Sequence, residues 1–214
     1  MDEIITKFPT DGRVEANWDE YLQAVEELPE KKAKCYYNKG QSYIEMTRLG
    51  NDHASDHTII MLAVNLFAIS QGIDFNSKDN CTIRKTGFQE AQPDVSYYLG
   101  KNADAVSYGT DIIELDLFPP PNLVIEVADV SLADDKGEKR LLYEDIGVEE
   151  YWIVDVQKAE LIAFKIVDGG SKRIQESFVL PGLSIALLDE TLQKSRHNNQ
   201  RIIAIWLMEQ FQQN

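Results

Sequence analysis

The sequence predicts an α/β fold organised around one parallel β-α-β unit. Two apolar runs, residues 123–127 and 151–156, have the length and composition of strands that are covered on both faces. The stretch between them, from Ser131 to about Ile146, has the length of a helix. A strand, a helix and a second strand in this order are typical of a parallel pair joined by a crossover helix.

Both ends of the crossover helix carry terminal signals. Ser131 is followed three residues later by Asp134, which predicts a start resembling a capping box. Gly147 predicts a left-handed stop, and Val148 is the apolar residue that often follows such a stop. We therefore expect one continuous helix over residues 131–146.

Glu126 stands inside the first apolar run. An ionised carboxylate in a buried strand loses solvation worth several kcal/mol unless a metal, a cation or a proton compensates for it. Two simpler interpretations remain open at this stage. The side chain could reach the solvated end of the strand, or it could pair with a lysine.

The length, composition and net charge of the chain limit the classes of protein to which it can belong. The chain has 214 residues with 43% hydrophobic and 27% charged content, which is typical of one soluble globular domain. No run approaches 18 apolar residues, and the start Met1-Asp2-Glu3 does not resemble a secretory signal, so we expect a cytoplasmic protein without a membrane span. A net charge of −15 opposes non-specific binding to nucleic acid but leaves room for a local metal site.

Upstream of the β-α-β unit the pattern predicts a helix, a hairpin and a second helix. Apolar residues recur at helical spacing within residues 10–28. The turn sequence at 38–40 joins two strand-like segments, so we expect a β-hairpin with Glu45 near the end of its second strand. Residues 57–72 are apolar on most sides, which favours a helix in the core.

His53 and His57 lie four residues apart and would share one helix face. Zinc-binding pairs have this spacing, but the glutamate of the zinc-protease motif is missing. We therefore expect both histidines on the surface at the start of the helix.

Further elements are predicted along the rest of the chain: strands at 80–87, 93–98, 160–167 and 179–185, a long loop at 100–122, and a helix at 200–211. The terminal helix carries much apolar area, which should be covered by the domain or by another subunit.

Three features of the chain point to one chemistry. Asp94 opens a strand after Pro93, Glu126 lies in another strand, and Lys139 lies on the helix that follows. Two carboxylates from neighbouring strands can bind Mg²⁺, which activates water and stabilises charge on a phosphoryl oxygen. A nearby ammonium would orient the water or neutralise the transition state.

The sequences QPDVSYYLG and PNLVIEVADVSLADDKGEKRLLYEDIGVEEYWIVD resemble the Uma2 (DUF820) family of endonucleases, within the PD-(D/E)XK, restriction-endonuclease-like superfamily. The resemblance covers about residues 10–190 and is specific in the central block. It implies an α/β/α core with a central mixed sheet and flanking helices, and Mg²⁺-dependent (or Mn²⁺-dependent) cleavage of DNA. We expect a nuclease domain at 1–190 and a helical extension at 191–214 that packs on a second copy in a homodimer.

The resemblance implies that Asp94 and Glu126 bind the metal. The superfamily lysine normally lies two residues after the glutamate, where this chain has Ala128, so the family pattern offers Lys139 instead. Glu45 matches an acid that often completes such sites.

Two weaker candidates and several alternatives accompany this assignment. The resemblance offers His57 as a further site residue and Tyr143 as a residue lining the cleft. Lys139 could instead pair only with Asp135, Glu45 could be an exposed strand acid, and Tyr143 could serve packing alone.

Three functions follow from these observations. The first is a Mg²⁺-dependent endonuclease. The second is a catalytically silent module for assembly or protein interaction, which the acidic net charge, the displaced lysine and the apolar terminal helix favour. The third is a hydrolase of small phosphate compounds, which would require a closed pocket.

Overall fold

The computed structural model describes residues 11–28, 33–46 and 50–212, so the acidic start at residues 1–3 lies outside the described part. In chain order the strands are β1 (Arg13–Glu15), β2 (Ala33–Asn38), β3 (Gln41–Met46), β4 (Phe75–Asp79), β5 (Ile83–Lys85), β6 (Gln89–Ala91), β7 (Val95–Leu99), β8 (Ile113–Glu114), β9 (Leu123–Ala128), β10 (Glu150–Asp155), β11 (Glu160–Val167) and β12 (Gly170–Arg173). The helices are α1 (Trp18–Glu26), α2 (Asn51–Ser70), α3 (Leu132–Lys136), α4 (Glu138–Ile146), α5 (Ile185–Ser195) and α6 (Gln200–Phe211).

Two mixed sheets organise the fold. The central sheet has the strand order β12-β11-β10-β9-β7-β4, and its only parallel pair among the described strands is β9 with β10. Helices α3 and α4 connect these two strands, which confirms the predicted β-α-β unit. The second sheet has the order β1-β3-β2-β6-β5-β8 and was not predicted as a separate layer.

The alternation along β9 divides the core into two layers. Leu123, Ile125 and Val127 belong to the cluster that helices α2, α5 and α6 cover. Val124 and Ala128 belong to the opposite cluster, which contains side chains of α4 and of the second sheet. Because side chains alternate along a strand, Glu126 lies on the face with Val124 and Ala128, between the two sheets.

The crossover helix differs from its prediction. Gly137 interrupts it with backbone angles outside the helical region, and a Cβ atom at this position would lie only 3.2 Å from the carbonyl oxygen of Ala133. Ser131 is the N-cap residue, as predicted, but its side chain makes no capping hydrogen bond; its hydroxyl donates to the Asp135 carboxylate instead. The predicted stop at Gly147 is confirmed, with φ of +83° and its amide donating to the carbonyl of Tyr143.

The predicted strand at 179–185 is wrong. Pro181 and Gly182 form a turn with φ of +91° at the glycine, and α5 begins directly afterwards at Ile185. Glu150 fixes this turn region, because its carboxylate accepts the backbone amides of Phe178 and Val179.

The other predicted helices and strands are present in the structure, but their ends are shifted. Helix α1 is shorter than residues 10–28, and α2 begins at Asn51, so that both histidines lie in its first turns as expected, and ends at Ser70. The hairpin of β2 and β3 is confirmed, and its turn residues Lys39 and Gly40 both have positive φ. The predicted loop at 100–122 contains the short strand β8.

The C-terminal helices pack against the domain. Helix α6 occupies the predicted residues and contacts α2, where the rings of Phe67 and Phe211 lie 5.2 Å apart. Helix α5 spans residue 190, the expected boundary, and Arg196 after it forms two hydrogen bonds with the buried Asp56 of α2. Among the helices that the structure describes, none has the length and apolar character needed to cross a bilayer.

Candidate metal centre

Four acids and two lysines meet where the two sheets face each other. Lys34 of β2 and Glu45 of β3 come from the second sheet, and Glu126 comes from β9 of the central sheet. Asp94 lies directly before β7, where the chain passes from the second sheet to the central one. Lys139 and Asp135 come from the two crossover helices, one helical turn apart.

Asp94 is held by donors on both carboxylate oxygens. Its Oδ1 lies 2.5 Å from the Lys34 ammonium, and its Oδ2 accepts the Val127 amide at 2.7 Å. The Nε2 of His53 lies 3.6 Å from Oδ2. Burial alone would raise the pKa of Asp94, but Lys34 and His53 outweigh burial and hold the pKa well below its ordinary value.

Glu126 lies beside Asp94 and is completely enclosed. Its Oε1 accepts the Tyr143 hydroxyl at 2.6 Å, and its Oε2 lies 3.4 Å from the Asp94 amide and 4.0 Å from the Lys34 ammonium. Burial raises the pKa of Glu126 to about 8, although Lys139 and Lys34 act in the opposite direction. The neighbouring Asp94 charge adds to the rise, so the two acids together favour a cation or a proton between them.

Lys139 forms ion pairs with the other two acids, Glu45 and Asp135. Its ammonium lies 2.9 Å from Glu45 and 3.0 Å from Asp135, and it stands 4.6 Å from the centre of the Tyr36 ring. Burial would lower the pKa of Lys139, but Glu126, Asp135 and Glu45 raise it well above its ordinary value. The alternative in which Lys139 pairs with Asp135 is therefore realised, together with a second pair to Glu45.

These groups border a cavity of about 370 Å³ that opens to the surface. Asp94, Glu126, Lys139 and Glu45, the four residues expected to form the site, all line it. Its walls also include Lys34, Tyr43, Met46, His53, Asp129, Val130 and Ser131. An open cavity differs from the closed pocket that a hydrolase of small phosphate compounds would require.

The two weaker candidates lie elsewhere. Tyr143 is completely buried behind Glu126 and does not line the cavity. His57 also lies outside the cavity wall, with its Nε2 3.5 Å from Asp79. The expectation that both histidines lie on the surface is wrong: His53 is only 6% exposed and lies against Asp94, and the side chain of His57 is only 12% exposed.

Lys34 was not among the predicted site residues, although the hairpin contains a signal for it. The turn at Lys39 and Gly40 fixes the hairpin register, and counting back from it places Lys34 opposite Glu45. His53 had a weaker signal, its position on the same helix face as His57.

The donor chemistry of the centre fits Mg²⁺. This ion is commonly held by one or two carboxylates and keeps several waters, and Asp94 and Glu126 provide two carboxylates at the edge of an open cavity. Among residues 11–28, 33–46 and 50–212, no group of three or more His, Cys, Asp or Glu side chains forms a complete metal cluster. Water and substrate oxygens would therefore supply the remaining ligands.

Comparisons with known proteins concern the fold and the family. A solved structure described as a putative nuclease belonging to DUF820, from Anabaena variabilis ATCC 29413, superimposes with a TM-score of 0.58 at 17% identity, covering 83% of this chain and 99% of that one. No curated protein matches the chain.

The sequence profile of Uma2, described as "Putative restriction endonuclease", matches residues 18–200, which include the central sheet, every strand of the second sheet except β1, and all of the residues around the cavity except Asp11. The resemblance that the central block suggested is thus confirmed over most of the chain, and the shared fold agrees with it. On this evidence, the protein belongs to the Uma2 family.

Proposed function

We propose that this protein is a Mg²⁺-dependent endonuclease that hydrolyses phosphodiester bonds in DNA. The observation that supports this most is the meeting of Asp94 and Glu126, from two strands, at one open cavity. Family membership points to the same class of activity. The acidic net charge argues against broad non-specific affinity for DNA, so the proposal places the attraction for phosphate in the metal-loaded centre.

In this proposal Asp94 and Glu126 would hold the ion through carboxylate oxygens, and the ion would supply charge stabilisation and a more acidic water. Tyr143 and the Val127 amide fix the orientation of the two carboxylates by hydrogen bonds. Lys139 is held by Glu45 and Asp135 within the same cavity, where its charge would stabilise a phosphate oxygen.

A plasmid-cleavage assay tests the proposal. We expect nicking of supercoiled DNA with Mg²⁺ or Mn²⁺, its loss in a chelator, and a loss of at least 100-fold in Asp94→Asn and Glu126→Gln. Glu209→Gln is the matched control, because it removes one carboxylate from the exposed face of α6, away from the cavity. Cleavage that survives in both site variants would contradict the proposal.

A silent module remains the second candidate, and the ion pairs of the centre favour it: both lysines already neutralise acids without any metal. In that case neither the native protein nor its variants would cut DNA or bind Mn²⁺ in calorimetry. Metal binding that depends on Asp94 and Glu126 would exclude this candidate.

The proposal includes a homodimer. Helix α6 leaves Ile202, Ile205 and Met208 between 38% and 44% exposed, although its opposite side packs on the domain. We expect light scattering at micromolar concentration to give the mass of a dimer and Ile205→Glu to give that of a monomer. A monomeric native protein would contradict this part of the proposal.

A further inference from the structure

Lys34 is a buried lysine whose charge lies against the two acids of the proposed metal centre. Its side chain is 8% exposed, and its ammonium lies 2.5 Å from Asp94 and 4.0 Å from Glu126. Lysine is almost never buried to this extent unless it is paired. The ammonium is therefore the counter-ion of this acid pair in the structure.

The two lysines of the cavity have separate partners. Lys139 lies within ion-pair distance of Glu45 and Asp135, whereas Lys34 lies within that distance of Asp94 and Glu126. Of the two lysines, Lys34 is the one whose ammonium lies within ion-pair distance of Asp94 and Glu126, and the imidazole of His53 lies on the other Asp94 oxygen. The charge of Lys139 also acts on Glu126, but from beyond ion-pair distance.

The Lys34 ammonium and a metal ion cannot both bind Oδ1 of Asp94 without weakening each other's interaction with it. Mg²⁺ binds oxygen at about 2.0–2.1 Å and demands near-octahedral geometry, so at Oδ1 it competes for space with the Lys34 ammonium, which lies 2.5 Å away. The other Asp94 oxygen already accepts the Val127 amide. Two positive charges on one carboxylate would also repel each other in a buried site.

Resting on the function proposed above, we propose that Lys34 is an internal counter-ion that a divalent cation must displace from Asp94 in order to bind. The lysine stem is flexible, and the cavity gives its head group room to move. Glu45 lies opposite Lys34 in the hairpin register and also lines the cavity, so a displaced ammonium meets another carboxylate nearby.

This role has a regulatory consequence for the centre. The acids are neutralised and the two sheets are held together before any metal arrives. The ammonium competes with the ion, so the centre fills only when the concentration of divalent cations is high enough to displace it. Metal affinity is then set by Lys34 as well as by the ligands themselves.

Calorimetric titration with Mn²⁺ alone, without nucleic acid, tests the inference. We expect Lys34→Met to bind Mn²⁺ at least tenfold more tightly than the native protein, because the competing charge is gone. Lys101→Met is the matched control and should change the affinity by less than threefold, because Lys101 is exposed and lies outside the cavity wall. Equal or weaker binding by Lys34→Met would overturn the inference.

Two further variants, Lys34→Arg and Asp94→Asn, test the inference in different ways. If Lys34→Met does not fold, Lys34→Arg is used instead. A guanidinium can hold the Asp94 carboxylate through two hydrogen bonds, so we expect this variant to bind Mn²⁺ at least tenfold more weakly than the native protein. Unchanged affinity for Mn²⁺ would overturn the inference. Asp94→Asn separates the two proposals. If native protein and Lys34→Met bind equally, and Asp94→Asn abolishes binding, the inference fails while the metal centre stands. If none of the folded proteins binds Mn²⁺, both fail.

Discussion

Replacing Glu126 by glutamine should remove a large part of the pH dependence of stability. The completely buried carboxyl has a pKa raised from 4.5 to about 8, so between these values the folded chain binds the proton that the unfolded chain has released. The free energy of unfolding must therefore fall as the pH rises through this window. At about 1.4 kcal/mol per pH unit, and somewhat less close to each pKa, the loss attributable to Glu126 between pH 5 and pH 8 is on the order of 3–4 kcal/mol.

Urea unfolding at pH 5, 6, 7 and 8, in the presence of a chelator, measures this loss. Asp94 contributes nothing in this range, since its pKa is held below its ordinary value of 3.8 and its own effect appears only below that pH. The pKa of His57 is lowered by burial, which gives a slope of opposite sign up to pH 6.5 that native protein and variant share.

The comparison is therefore the difference between native protein and Glu126→Gln at each pH, with Glu209→Gln as the control for one lost surface carboxylate. Parallel stability curves for native protein and Glu126→Gln would refute the reasoning. They would mean that the Glu126 carboxyl is solvated or fully compensated in its ionised form.

Three further predictions concern stability. Arg196→Ala should lower the free energy of unfolding by about 2 kcal/mol in urea titrations, because it leaves the fully buried Asp56 unpaired; the value is at the low end since Arg196 is itself 28% exposed. Asp56→Asn/Arg196→Ala should recover part of the loss, and an additive loss would contradict the pairing. Gly147→Ala should cost about 1–2 kcal/mol, because alanine must adopt φ of +83°, and an unchanged urea midpoint would count against this. Glu150→Ala leaves the amides of Phe178 and Val179 without their acceptor, so hydrogen exchange there should quicken at least tenfold, and an unchanged rate would be evidence against this anchor.

The local signals of the sequence predicted the centre of the fold well. The apolar strands β9 and β10, the glycine stop after α4 and the hairpin turn at Lys39 and Gly40 each depend on residues close together in the chain. The turn at Gly182 illustrates the limit. Residues 179–185 have the apolar pattern of a strand, but Pro181 lacks an amide hydrogen and Glu150 captures neighbouring amides, so the segment folds as a turn.

Four of the residues that line the cavity, Asp94, Glu126, Glu45 and Lys139, were predicted from the sequence, but Lys34 and His53 were not. Asp94 and Glu126 stand out because a carboxylate next to apolar strand residues is costly to bury. Lys34 stands in a charged stretch that looks solvated, and only the approach of the second sheet brings its ammonium to Asp94. Pairing across 60 residues of sequence leaves no local pattern, which is why the cation of the site was assigned to Lys139 alone.

The candidate metal centre lies between the two sheets and is built from residues of both, so it exists only in the folded protein. The hairpin provides Lys34 and Glu45, the segment before β7 provides Asp94, and the crossover unit provides Glu126 and Lys139, so the cavity wall draws on residues from Asp11 to Lys139. A ribosome-bound fragment that ends before the crossover helices therefore lacks part of this wall. Under the proposed function, the cell would meet the nuclease activity only after this whole region has been synthesised and folded.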